Sequence, residues 1–206
     1  MMRNPLSAAL PRFAALALLT SALGGCALNP FSETPDPAGR PAADIVPELE
    51  ALFPELLAEA GEGSPIEVAS LRETSCLDSV QDEHPNAMTS AQAWALGRYA
   101  DHAPAQAAVD ALAAHLSGEG WALQDELRKE ADSNGDVHVI NYTKNDLRAL
   151  VRYRHAELDG HRVVDVILSS PCVENPVEHR MIRSKLDPDY GVHSKHYDYE
   201  AEAADR

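Results

Sequence analysis

Residues 163–168 read Val163-Val164-Asp165-Val166-Ile167-Leu168, the strongest strand signal in the chain. The run is β-branched and apolar, too short for a buried helix, and it marks the core strand of a sheet. Just upstream, residues 147–155 (LRALVRYRH) alternate Leu147, Ala149, Val151 and Tyr153 with Arg148, Leu150, Arg152 and Arg154. That is the period of a half-buried strand. Leu158-Asp159-Gly160-His161 joins the two strands, and Lys144-Asn145-Asp146 turns the chain before them. Further back, residues 137–143 set Val137, Val139 and Asn141 against His138, Ile140 and Tyr142, and Asp132-Ser133-Asn134-Gly135-Asp136 makes the hairpin turn from a strand over 121–128. Four consecutive extended segments joined by tight turns form an antiparallel meander.

Ahead of the meander, residues 105–116 place Ala108, Val109, Leu112 and Leu116 on one helical face, and Ser117-Gly118-Glu119-Gly120 ends the helix before Trp121. Pro104 marks its start and disfavours helical geometry at Ala103. The segment 91–100 (AQAWALGRYA) is read as a strand, 78–90 as a polar loop and 66–71 as a first strand. Earlier still, Ile45, Leu49, Leu52, Phe53, Leu56, Leu57 and Ala60 follow a 3.6-residue period. Asp44 is placed as N-cap of this amphipathic helix, Gly61 as its stop, and Pro54 is expected to kink or split it after Phe53. The expected architecture is α+β: a two-layer sandwich with one or two helices on an antiparallel sheet.

The N-terminal segment has a different character. Arg3 and Arg12 precede an uncharged apolar run, residues 13–23 (FAALALLTSAL), which is the length of a signal h-region and too short to span a bilayer. Leu23-Gly24-Gly25-Cys26 follows it. This order resembles the lipobox of bacterial lipoproteins. The resemblance implies diacylglyceryl lipid on Cys26, cleavage between Gly25 and Cys26, and a protein anchored to the extracytoplasmic face of the bacterial cell membrane. The two acyl chains of one such group suffice for stable anchoring. Residues 26–43 hold Pro30, Pro35, Pro37 and Pro41 with little that is apolar, and read as a tether. Residues 44–173 form the ectodomain, and 174–206 a short helix over 176–186 with an acidic tail.

Assigning Cys26 to lipid leaves Cys76 and Cys172 as a pair in an oxidising compartment, where parity favours a disulfide. A lipid cysteine, an early cysteine, a helix followed by Gly120-Trp121, and a late Ser170-Pro171-Cys172 resemble the small uncharacterised surface lipoproteins of high-GC Gram-positive (actinobacterial) bacteria. That resemblance brings no assigned activity and no catalytic residues.

Charge excludes one class of partner. The chain carries 33 acidic against 17 basic residues, a net charge of -16, so a nucleic acid would meet no basic face able to neutralise its phosphates. Asp132, Asn134 and Asp136 imitate the start of a calcium loop, but Gly135 comes too early and Thr143 stands where a bidentate glutamate is required. His179, His193 and His196 lack an HExxH spacing and read as solvated tail residues, so no metal or cofactor is assigned. No G-x-S-x-G elbow, P-loop or G-x-G-x-x-G occurs. One basic concentration remains, Arg148, Arg152, Arg154 and Arg162, of which the first three share a strand parity and therefore a sheet face. There they would meet an anionic ligand or pair with the surplus acids. The chain is expected to be a non-catalytic envelope module binding a protein, a cell-wall component or a small molecule; the alternative is an extracytoplasmic hydrolase whose site is assembled from distant residues.

Overall fold

The computed structural model describes residues 39–77, 84–132, 135–155 and 160–205. The signal segment, the lipobox with Cys26, nearly all of the tether, residues 78–83 of the expected loop, the hairpin-turn residues Ser133 and Asn134, and residues 156–159 lie outside them.

Two helices, α1 (Ala42–Ala58) and α2 (His102–Gly118), lie on one face of a seven-stranded antiparallel sheet. Its strands are β1 (Glu67–Ser75), β2 (Met88–Tyr99), β3 (Ala122–Asp132), β4 (Gly135–Lys144), β5 (Leu147–His155), β6 (Arg162–Ser169) and β7 (Val173–Glu174), in the order β1-β2-β6-β5-β4-β3 with β7 beside β2. The architecture is thus α+β in two layers. The meander β3 to β6 forms by successive hairpins; α2 carries the chain from β2 to the far edge, so that β6 closes back against β2.

Strand parity explains the layering. Leu147, Ala149, Val151 and Tyr153 of β5 and Val164, Val166 and Leu168 of β6 are buried on the helical side. On β2 the same face carries Ala91, Ala93 and Ala95, all fully buried, whose small side chains let the helices approach closely. Against them pack Ile45, Leu49, Phe53 and Leu56 of α1 and Val109, Leu112 and Leu116 of α2. Each fully buried large side chain is worth about 1.5–3 kcal/mol.

Two local proline rules give way, the first to that packing and the second to position in the helix. α1 continues through Pro54 to Ala58 as one helix. The missing amide costs about 3 kcal/mol, and burial of Phe53 and Leu56 on either side outweighs it. Its N-cap is Pro41, not Asp44, which falls in the first turn with its amide donating to the Pro41 carbonyl at 3.0 Å. α2 includes Ala103, because Pro104 sits in the first turn, where an amide has no intrahelical acceptor to lose.

The stretch after β7 is not a tail. No helix forms over 176–186; the short helix is α3 (Tyr199–Ala204). Instead the Glu73 amide donates to the Ile182 carbonyl and the Ser184 amide to the Leu71 carbonyl, so the segment runs along the outer edge of β1 and covers it. The Arg183 guanidinium is buried, donating to Glu202 at 2.9 Å and lying 4.5 Å from the Tyr197 ring centroid. Cys76, just after β1, and Cys172, between β6 and β7, are joined by a disulfide. Among the described residues no helix is long and apolar enough to cross a membrane.

Candidate binding face

The helices cover one side of the sheet, and the other side holds the arginines. Register gives its pattern as rows across the strands. Trp94, Ile167, Leu150, Asn141 and Asp125 are successive partners in one row. On one flank runs Gln92, Ser169, Arg148 and Thr143; on the other, Leu96, Asp165, Arg152, Val139 and Leu127. Arg154 stands one row further, opposite Val163 and Val137. The apolar residues Trp94, Ile167 and Leu150 therefore lie between rows that carry the arginines, and Leu127 at the outer end of the Arg152 row is 60% exposed.

Asp165 organises the centre. Its side chain is fully buried, and the Arg152 and Arg154 side chains opposite it keep 36% and 42% exposure. Arg152 donates to Asp165 Oδ2 from Nε at 3.0 Å and Nη2 at 2.9 Å, and Arg154 donates to the same oxygen from Nε at 3.1 Å. Trp94 Nε1 donates to Oδ1 at 3.3 Å. Two guanidiniums on one carboxylate leave the triad cationic, and the carboxylate sets the planes of both forks. Beside it is a hollow of about 370 Å³ lined by Gln124, Asn141, Thr143, Arg148, Leu150 and Ile167, among others. Asn141 Nδ2 donates to Asp125 Oδ1 at 2.5 Å and Gln124 Nε2 to Thr143 Oγ1 at 2.8 Å, so amide side chains form the rim over an aliphatic floor.

The structure thus brings Arg148, Arg152 and Arg154 onto one face, with two of them paired to a single acid. Trp94 and Asp165 complete that arrangement and do not stand out in the sequence, because Asp165 sits inside an apolar core strand. A charge alone among valines and isoleucines was the available signal.

Two further polar clusters lie elsewhere. Glu73, 1% exposed, accepts from Thr89 Oγ1 and from the Ile182 amide and pairs with His179 Nε2 at 2.7 Å. His179 is therefore a structural partner of a buried acid, not a solvated tail residue. At the opposite end of the sheet, Tyr153 OH meets His102 Nδ1 at 2.8 Å, and Asp136 lies 3.7 Å from His102 Nδ1 and 3.5 Å from His155 Nδ1. Burial and the neighbouring Asp136 carboxylate push the Tyr153 hydroxyl up to about 12. Among the described residues no three His, Cys, Asp or Glu side chains converge as a metal site. No known protein family matches this chain, and no curated protein sequence matches it either.

Proposed function

We propose that the chain is a lipid-anchored extracytoplasmic envelope protein, held through Cys26, whose ectodomain is a non-catalytic binding module using the open face of the sheet. The resemblance of the N-terminal segment to lipoprotein signals supports the anchor, and the pairing of the two remaining cysteines agrees with an oxidising compartment. The observation that carries the binding reading is the hollow over Leu150 and Ile167, rimmed by amides, hydroxyls and Arg148. A concave apolar floor with a few directed polar groups is the usual form of a ligand site. Its lining favours binding over hydrolysis: it contains no histidine, and its one carboxylate, Asp125, is occupied by Asn141.

A photo-crosslinking residue at Leu150 in the full chain, expressed in its own membrane, tests this. Adducts are expected from Leu150 and not from Asp110 on the exposed side of α2. Equal labelling from both positions, or none from Leu150, would overturn the assignment of the face. Cys26→Ala is expected to move the protein out of the detergent phase; unchanged partitioning would overturn the anchor.

A further inference from the structure

The chemistry of the open face narrows the ligand, on the reading that this face is the binding surface. We infer that it takes an acidic polysaccharide, a chain of sugar rings bearing carboxylate or phosphate groups, with Arg148, Arg152 and Arg154 meeting the anions and Trp94 supporting a ring.

Charge complementarity is the first argument. The chain as a whole has a net charge of -16, yet this face gathers three arginines on one strand. At strand spacing the Cα atoms of Arg152 and Arg154 lie about 7 Å apart and that of Arg148 about 13 Å from Arg152, and the first two guanidiniums converge on Asp165 Oδ2. Two cationic points along one strand, the Arg152–Arg154 pair and Arg148, suit a ligand with repeating charges better than a single small anion. The second argument is the organisation of the triad. A guanidinium recognises carboxylate or phosphate by its planar fork, and its selectivity depends on holding that plane. Asp165, with no exposure of its own, holds two such planes from beneath and leaves the guanidiniums partly exposed above. It also fixes the edge of the half-buried Trp94 indole.

The third argument separates a glycan from an acidic peptide. An extended peptide would be recognised along a free strand edge through its main chain. Here the cations instead lie on β5, a central strand of the sheet, and apart from Asp125 and Asp165 the polar groups around them are side-chain amides and hydroxyls: Gln92, Gln124, Asn141, Thr143 and Ser169. Such groups both donate and accept, as sugar hydroxyls do. Asp165 and Trp94 act as positioning groups beneath and beside the arginines.

Isothermal titration of the detergent-solubilised full chain against four probes of equal length tests the inference: hexagalacturonate, phosphorylated maltohexaose, neutral maltohexaose and hexaglutamate. An acidic saccharide is expected to bind at least tenfold more tightly than either the neutral sugar or the peptide. Affinity should fall as salt rises. Asp165→Val should keep the fold and weaken acidic-saccharide binding at least fivefold, an effect that a purely structural carboxylate would not produce. Asp165→Val/Arg152→Gln/Arg154→Gln removes the forks without stranding a buried charge, and should abolish the preference for acidic over neutral sugar. Equal binding of hexaglutamate, undiminished binding by the triple variant, or no binding of either acidic saccharide would overturn the glycan inference. Crosslinking from Leu150 persisting alongside such a result would leave the binding face standing with a different ligand.

Discussion

Removing the Asp165 carboxylate and removing its two arginines should have very unequal consequences for stability. Asp165 is fully buried, with its charge balanced by Arg152 and Arg154 and one longer contact from Trp94. Arg152→Ala or Arg154→Ala alone leaves one guanidinium balancing the charge, so each should cost about 0.5–1.5 kcal/mol, the scale of an ordinary lost hydrogen bond. The double substitution strands a buried anion, for which about 3–5 kcal/mol is the expected penalty, so the pair should exceed the sum of the singles. Asp165→Val removes the anion itself. Both arginines already reach water, and valine suits a central strand between Val164 and Val166, so stability should change by about 1 kcal/mol or less in either direction. Guanidinium chloride unfolding at 25 °C, followed by far-UV circular dichroism because Trp94 belongs to the site, measures all four variants. A loss above about 3 kcal/mol for Asp165→Val, or simple additivity of the arginine singles, would refute the account. Near-neutrality of Asp165→Val together with lost ligand binding would identify a buried charge that serves recognition and adds nothing to stability.

Replacing Cys76 and Cys172 by alanine should lower stability by about 4–5 kcal/mol with a rise in urea m-value, because the 96-residue separation makes a large closed loop; a loss under about 1 kcal/mol with unchanged m would show that the bridge constrains little. Gly97→Ala should cost about 1–3 kcal/mol, since a Cβ there would lie 2.6 Å from Ile66 Cγ1 and 3.1 Å from its backbone nitrogen and Cα. Ile66→Ala in the same chain should restore only part of that loss, the backbone atoms remaining in place. The raised Tyr153 hydroxyl stabilises the fold fully below pH 10, and that contribution is lost as pH rises towards about 12, as the unfolded chain ionises first. The loss amounts to about 2–3 kcal/mol, and Tyr153→Phe should flatten the pH 10–12 slope of unfolding free energy; an unchanged slope would assign alkaline instability to other tyrosines.

The parts of the fold legible in the sequence are those where one local pattern decides. The alternation through Leu147, Ala149, Val151 and Tyr153 and the run from Val163 to Leu168 needed no partner to be read, and the cysteine pair followed from parity. Even the alanine-rich segment around Trp94 is a strand, because its alternating alanines face the helices. Where local and tertiary preferences compete, the local rule misleads: Pro54 would break an isolated helix and does not break one that buries Phe53 and Leu56. The C-terminal stretch was illegible for another reason. It is held by single contacts between residues far apart in sequence, such as His179 with Glu73 and Asp187 with Arg72, and these leave no periodicity. The candidate site stands between the two cases. Parity placed the arginines on one face, but the partner acid depends on register, which sets Asp165 opposite Arg152.

One contact at the chain's entry decides how the head would stand. Arg40, immediately before α1, donates to Asp146 in the β4–β5 turn from Nε and Nη2 at 2.8 Å and to Glu48 from Nη1 at 2.8 Å. The same turn is flanked by Thr143 and Arg148, which line the hollow. The pivot of the domain is therefore at the hollow's own end of the sheet. With Cys26 as the proposed attachment point, roughly 14 residues separate the bilayer surface from that pivot, a leash of at most about 50 Å. The hollow thus lies at the end of the sheet where the chain enters, and Tyr153 and His102 lie at the other end. A ligand in the hollow would sit beside the chain's entry and next to Arg148, with Arg152 and Arg154 further along β5 towards Tyr153.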